Sequence, residues 1–293
     1  MGNEAIKLSA SQVVKGDECM YQLKLYRQRV RRRATSCNLV FGQCIDEALR
    51  TYVTTAYGGS PTDPVPVFEQ AWQKALASTE ISFPSTWSAE ELARTGIRLL
   101  ELFPGVWDPL GLTPLLDDKG QPVMDVMLEA EIAPGVVLRG VLDFAGFNPA
   151  GDLVVVDYKT AAQAHDYYFA RKSDQLTAYQ LLLTLNQQSL GPDPVKALAF
   201  LDLVKRKVSS RSNSVGPEVC TPRWVPPRSQ DEVNAFKQKV IWLAEDIRAR
   251  RWVQRPKMSF NSPCSQCDYK DYCLYGEKDG LVFPEDVAAS LAA

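Results

Sequence analysis

The chain has 293 residues, with 45% hydrophobic and 23% charged residues and a formal net charge of −2. That length serves one large domain or two small ones around a sizeable core, and the charge excludes a uniformly basic nucleic-acid binder. No apolar run approaches a membrane span and "MGNEAIKLSASQ" lacks the order of a signal peptide; the expected location is the cytoplasm, where seven cysteines do not form a disulfide frame.

Ser9 and Gln12 form a capping-box pattern that opens a first helix over roughly 9–27. A second helix is expected over about 38–56, with Phe41, Ile45, Ala48, Leu49, Tyr52, Val53 and Ala56 at helical spacing. "YGGSPTDPVP" ends it. Two more helices follow near 65–78 and 88–103, the latter opened by Ser88 and Glu91. The period then changes. "VMDVMLEAEIA", "VVLRGVLDFAGF" and "LVVVDYK" read as three strands joined by turns at "APGV" and "NPAGD". A helix over 173–187 and an apolar strand over 195–204 follow. After a polar loop over 209–218, a long helix opened by Ser229 and Glu232 runs to about Arg251. This order predicts an α/β core with a mixed sheet flanked by helices. The expected layout is N-terminal helices over 1–56, a helical insertion over 57–120, the core over 121–252 and a cysteine-bearing segment over 253–293.

Three stretches concentrate positive charge: "RQRVRRR" (27–33), "KRKVSSR" (205–211) and "RARRWVQRPK" (248–257). Within them Arg31, Arg32, Arg33, Lys205, Arg206 and Lys207 are candidate contacts for a polyanion, DNA above all. Tyr167, Tyr168 and Trp252 are candidate stacking residues, equally suited to a core.

Strand side chains alternate between faces, so Asp157 and Lys159 share one face of "LVVVDYK" while Val154, Val156 and Tyr158 take the other. Asp143, after "RGVL", comes beside Asp157 if the two strands pair. Two carboxylates and a lysine then converge at one end of a sheet, an arrangement that suits Mg²⁺ or Mn²⁺, hard cations that take oxygen ligands and keep water. The alternative is a surface ion pair at a strand end. Glu129 or Glu131 could assist from the first strand, or serve only in salt bridges. The lone histidine, His165, reads as a loop residue.

These motifs have a family look. "GVLDF…LVVVDYKT" resembles the G-x-x-D…D-x-K signature of PD-(D/E)XK nucleases in their RecB-like form. "QLTAY" (175–179) resembles that group's Q-x-x-x-Y motif, with Gln175 and Tyr179 on one helical face. "FGQCIDEAL" (41–49) resembles the G-x-x-x-H-E-A-L segment of the first core helix, but Asp46 stands where the family usually has a metal-binding histidine. The resemblance implies a restriction-endonuclease-like fold and a metal set of Asp46, Asp143, Asp157 and Tyr158. It implies catalytic roles for Asp143, Asp157, Lys159, Gln175 and Tyr179, with Lys159 orienting the attacking water.

"CSQCDYKDYC" spaces Cys264, Cys267 and Cys273 as C-x₂-C-x₅-C. Three thiols at that spacing need a fourth ligand, from Cys19, Cys37, Cys44 or Cys220. A zinc site more often supplies two local pairs, whereas an iron–sulfur cluster tolerates a remote thiolate. RecB-like nucleases with an iron–sulfur clasp place one cysteine near the N-terminus after a segment like "LSASQVVKGDEC". The resemblance therefore points to Cys19 and a [4Fe–4S] cluster pinning the two chain ends together. Cys37, Cys44 and Cys220 are expected as small buried residues.

The expected function is a Mg²⁺- or Mn²⁺-dependent exonuclease acting on single-stranded DNA or DNA ends. Two alternatives stand beside it. One is a DNA-end processing nuclease that works with protein partners in repair, recombination or CRISPR adaptation; the other is a DNA-binding protein that kept the fold and lost activity.

Overall fold

The computed structural model describes residues 5–191, 193–208, 215–255 and 262–284. The chain opens with a strand that the sequence pattern does not announce, β1 (Ile6–Ser9), and continues through α1 (Ala10–Glu18) and α2 (Met20–Arg27). Ser9 and Gln12 make the expected capping box at the head of α1. The single helix expected over 9–27 is broken at Cys19, whose backbone is extended at φ −168° and ψ 116°. Two short strands, β2 (Arg31–Arg32) and β3 (Thr35–Ser36), lead into the long helix α3 (Cys37–Tyr57). α4 (Pro64–Ser78), β4 (Ile81–Ser82), α5 (Ala89–Trp107) and β5 (Thr113–Pro114) follow. The Ser88–Glu91 capping box opens α5 as expected.

The central strands are β6 (Val126–Ala133), β7 (Val136–Leu142), β8 (Phe144–Phe147) and β9 (Leu153–Ala161). After them come α6 (Tyr167–Lys172), α7 (Asp174–Leu185), α8 (Gln187–Leu190), β10 (Val195–Val204) and β11 (Glu218–Val219). α9 (Gln230–Arg248), opened by its Ser229–Glu232 box, α10 (Lys270–Tyr275) and β12 (Leu281–Val282) complete the described chain. Residues 209–214 of the expected polar loop and of the second basic stretch, Pro256 and Lys257 of the third, and 285–293 of the tail lie outside the described residues.

The mixed sheet is two sheets. β1-β7-β6 forms one, with β1 and β7 parallel; β11-β10-β9-β8-β5 forms the other, with β9 and β10 parallel. "VVLRGVLDFAGF", expected as one strand, is split between them. β7 ends at Leu142, the chain bends at Asp143, and β8 begins in the second sheet. The physical reason is that two neighbours compete for one ribbon: β7 bonds to β6 and β1, while β8 bonds to β9 and β5.

Helices cover both faces. On one side α1, α7 and α9 bury Val13, Leu176, Tyr179, Leu182, Phe236 and Val240 against Leu138, Leu142, Val155 and Leu198. On the other, α3, α4 and α5 bury Phe41, Ile45, Phe68, Trp72 and Phe103 against Phe144, Val156 and Leu201. The segment 57–120 contributes to this second layer: Trp107 lies 5.0 Å from Phe144, and β5 pairs with β8. A third, small cluster of Leu25, Val30 and Tyr269 joins the chain ends. β12 pairs with β2 there, and Tyr269 donates to the Val30 carbonyl at 2.9 Å. Among the described residues no helix is long and apolar enough to cross a membrane.

Candidate active site

β8 and β9 run antiparallel with Phe144 opposite Val156. That register brings the bend at Asp143 beside the 157–158 stretch, and the Tyr158 amide donates to Asp143 Oδ2 at 2.8 Å. The alternation on β9 is as expected: Val155 packs into the layer of α7, Val156 and Tyr158 into the layer of α3 and α5. Asp157 therefore faces α7. Gln175 Nε2 donates to Asp157 Oδ1 at 2.8 Å and lies 2.7 Å from the Tyr179 hydroxyl, so the helix-face pair predicted from "QLTAY" reaches the strand. Close approach of α7 depends on Gly140 in "RGVL". A Cβ at that position would come within 3.1 Å of Leu182 and 3.2 Å of the Tyr179 ring, tighter than a relaxed contact allows.

Asp157 is 0% exposed. Its Oδ2 lies 2.6 Å from Lys159 Nζ, yet among the described residues it has no well-oriented hydrogen bond. A buried carboxylate oxygen in that state is costly unless a cation completes its shell. Its neighbours register the same crowding. Burial, and then the charge of Asp157, hold the Asp143 carboxyl well above the usual range. Asp46 reaches the pocket from α3 and keeps solvent contact at the rim. Partial desolvation, and then Asp157, raise it to about 6. Burial works to lower Lys159, but the attraction of Asp157, Asp143 and Asp46 outweighs it and raises the ammonium above its ordinary value.

A cavity of about 250 Å³ is lined by Gln43, Asp46, Glu47, Arg50, Asp125, Asp143 and Tyr158. Tyr158 packs its ring 6.1 Å from Phe103 and 5.7 Å from Trp107, and its hydroxyl is buried without a partner among the described residues. Burial, and then Asp143, raise that phenol. Four residues here, Gln43, Glu47, Arg50 and Asp125, were not singled out from sequence. Glu47 and Arg50 follow Asp46 on α3 and could have been found by projecting one helix turn. Asp125 sits just before β6 at φ 50° and pairs with Arg50; its signal was a charge interrupting "VMDVM". Glu129 pairs with Lys7 at 2.7 Å and Glu131 accepts from the Gly135 amide, so both serve the three-stranded sheet.

The donor set fits a hard divalent cation. Three carboxylates crowd together around one ammonium, Lys159, and their mutual repulsion is what such a cation relieves. Among the described residues no group of three or more His, Cys, Asp or Glu side chains already stands ready to hold a metal ion. Asp46 and Asp143 line the cavity, and Asp157 is buried beside them.

At the chain ends, the break between α1 and α2 places Cys19 in the wall of a cavity of about 30 Å³ shared with Cys264, Cys267 and Cys273. Tyr21, Leu25, Pro263 and Leu274 supply apolar lining. None of the seven cysteines is in a disulfide. Cys37 and Cys44 are buried, as expected, but Cys220 is only half-buried at the sheet edge. The basic residues divide. Arg31 and Arg32 line a groove of about 1020 Å³ with Lys7, Lys15, Arg29 and Arg139, where Arg32 pairs with Asp268 at 2.8 Å. Arg33 is exposed beside it. Lys205, Arg206 and Lys207 lie elsewhere, at the end of β10, held by Asn38, Glu218 and Glu91. Trp252 packs against the core layer of α9, whereas Tyr167 and Tyr168 are exposed.

Two acids and a lysine thus meet where the chain passes from one sheet to the other, backed by a glutamine and a tyrosine from α7. A family model described as the PD-(D/E)XK nuclease superfamily matches residues 7–274, and the chain belongs to that superfamily. No curated protein matches the sequence. A solved structure described as the crystal structure of SSO0001 is similar over 90% of this chain and 94% of that one, at 13% identity and a TM-score of 0.35.

Proposed function

We propose that the protein is a Mg²⁺- or Mn²⁺-dependent deoxyribonuclease of RecB-like type, an exonuclease acting on single-stranded DNA or DNA ends. The observation that carries this reading is the convergence of Asp143, Asp157, Lys159 and Gln175 at the crossing between the two sheets. Asp143 and Asp157, with Asp46 in place of the family's histidine, are the residues to hold the cation against the scissile phosphate. The Tyr158 position serves this set through the backbone amide that fixes Asp143. A bound divalent ion supplies charge neutralisation and an acidified water. The chain's own residues do the rest. Lys159, anchored by Asp157, holds a cationic hydrogen-bond donor toward the attacking water and the phosphate oxygens. Gln175, itself against the Tyr179 hydroxyl, keeps Asp157 in a single orientation.

The groove bearing Arg31 and Arg32, with Arg33 at its side, is the main path for the phosphate backbone. Lys205, Arg206 and Lys207 have protein partners and contribute only where DNA displaces them. The second part of the proposal is a [4Fe–4S] cluster held by Cys19, Cys264, Cys267 and Cys273. Four thiols with apolar lining around one small cavity support it. Zinc is the competing occupant. The job of the group is structural, tying the N-terminal helices to the C-terminal segment. The deciding experiment digests end-labelled single- and double-stranded DNA with Mg²⁺, Mn²⁺ and chelator. Metal-dependent shortening from one end is expected; no cleavage with either metal would remove the nuclease reading.

A further inference from the structure

The chain's one histidine is held more firmly than an ordinary loop residue requires. The His165 amide donates to Asp202 Oδ2 at 2.9 Å, and its ring Nδ1 lies 2.5 Å from Asp202 Oδ1. Asp202 is 4% exposed, so a buried carboxylate spends both oxygens on one residue. An ionised carboxylate only accepts, so Nδ1 is the donor and Nε2 is the nitrogen left over. The ring is stacked 4.4 Å from Phe169 and lies 5.2 Å from Phe200. The proton on Nδ1 and the ring plane are both fixed, while the side chain stays 22% exposed.

The location gives this arrangement a purpose. In the parallel register of β9 and β10, Asp202 lies beside Lys159 and Phe200 beside Asp157. Lys159 Nζ sits 5.5 Å from the centre of the Phe200 ring, the ring that also supports His165. Lys159 and His165 therefore flank one aromatic plate. Asp143 approaches from the opposite neighbour of β9, and Asp202 lies one strand spacing, about 4.8 Å, on the far side. The residue that Asp202 holds therefore sits to the side of Lys159 away from Asp143, where a neighbouring nucleotide would run. Directly after His165 and Asp166, α6 carries Tyr167, Tyr168 and Phe169, which are 43%, 76% and 53% exposed. Three consecutive exposed rings beside a polyanion site match the stacking platforms that hold unpaired bases.

We propose that His165 and the exposed rings of α6 form the contact for the nucleotide flanking the cleavage point on a single strand. Nε2, in the doubly protonated ring, donates to that nucleotide's phosphate, and Tyr168 stacks its base. A phosphodiester anion is the partner that favours this form of the ring, and Asp202 keeps the donor aimed outward. The inference rests on the nuclease reading for its substrate. It assigns His165 and Tyr168 to substrate contact and Asp202 to positioning.

The test reads binding separately from cleavage. Fluorescently labelled single-stranded oligonucleotides are titrated with the full chain in chelator, by anisotropy. The set includes oligonucleotides in which one phosphate at a time is replaced by an uncharged methylphosphonate. Tyr168→Ala, whose ring is mostly in solvent, is expected to fold normally and to weaken binding about tenfold, the scale of one stacked base. His165→Ala is expected to weaken it several-fold and to abolish the penalty of the methylphosphonate at one position only. A merely structural histidine would lower affinity equally for every oligonucleotide. Wild-type affinity in Tyr168→Ala, or a His165→Ala variant that keeps the full methylphosphonate profile, overturns the proposal. Wild-type nucleic-acid binding in both variants would leave the exposed rings to a protein partner. Parallel cleavage assays separate the two readings. Cleavage that is indifferent to both variants defeats this inference alone, whereas the predicted binding profile without cleavage defeats the nuclease reading alone.

Discussion

The carboxylate cluster draws Asp143, Asp157, Lys159 and Gln175 from two adjoining strands and the second helix after them, and rests between two large core layers. The cysteine pocket draws Cys19 from one end of the chain and Cys264, Cys267 and Cys273 from the other. Among the described residues only Leu25, Val30 and Tyr269 form a buried cluster there. The first site is imposed by the fold: its geometry costs mutual repulsion among acids, and the cores on either side supply the energy to hold it. The second site has little core of its own among the described residues, so on the proposed reading it depends on the group its thiols hold. On the proposed reading the same chain contains a site that strains the fold and a site that fastens it, and loss of the bound group costs stability at both.

The largest effect that would sharpen this contrast is on activity. Asp157→Ala or Lys159→Ala is expected to reduce cleavage on the order of 10³-fold or more, the upper range for removing one charged group at a transition state, while the folded chain persists. Wild-type cleavage rates in either variant would disconnect the pocket from the chemistry. Next comes stability at the chain ends. Cys19→Ser or Cys267→Ser is expected to bleach the anaerobically purified protein and to speed proteolytic clipping between the core and the cysteine segment. Cys37→Ser and Cys44→Ser are expected to leave colour and iron content unchanged. Colourless wild-type protein with one zinc per chain would reassign the pocket to zinc. The smallest effect is in the pH dependence of stability. Asp46 is raised to about 6 from an ordinary value of 3.8, so the folded state holds a proton that the unfolded state gives up. The contribution is present below about pH 4 and is lost as pH rises through about 6 in the absence of divalent metal. Asp46→Asn is expected to flatten that part of the stability–pH curve, read by thermal melting in chelator, and Mg²⁺ to flatten it in the wild type. An identical curve for Asp46→Asn would place that carboxyl outside the coupled cluster.

Much of the architecture was legible before any coordinates because its causes are local. The Ser9, Ser88 and Ser229 capping boxes each satisfy orphan amides within one turn, and each helix begins where they predict. Period-two alternation settled which face of β9 carries Asp157 and Lys159. A four-residue helical spacing put Gln175 and Tyr179 together. Tertiary competition decided the rest. β7 and β8 are one apolar run in the sequence, and only the presence of two sets of strand partners bends it at Asp143. Helical pattern runs straight through Cys19, and the break there sets that residue beside a segment from the far end of the chain. Asp125 against Arg50, and His165 against Asp202, are meetings across loops. No local propensity encodes them, because their free energy is gained only after the intervening elements have packed. For the same reason the basic stretches looked alike as sequence. The fold gave 205–207 nearby partners and left Arg31 facing an open groove. Sequence by itself determined which face of its element each candidate residue occupies, since that follows from backbone periodicity. Tertiary structure alone decided which of them meet, because a contact between distant segments exists only once two cores have closed around it.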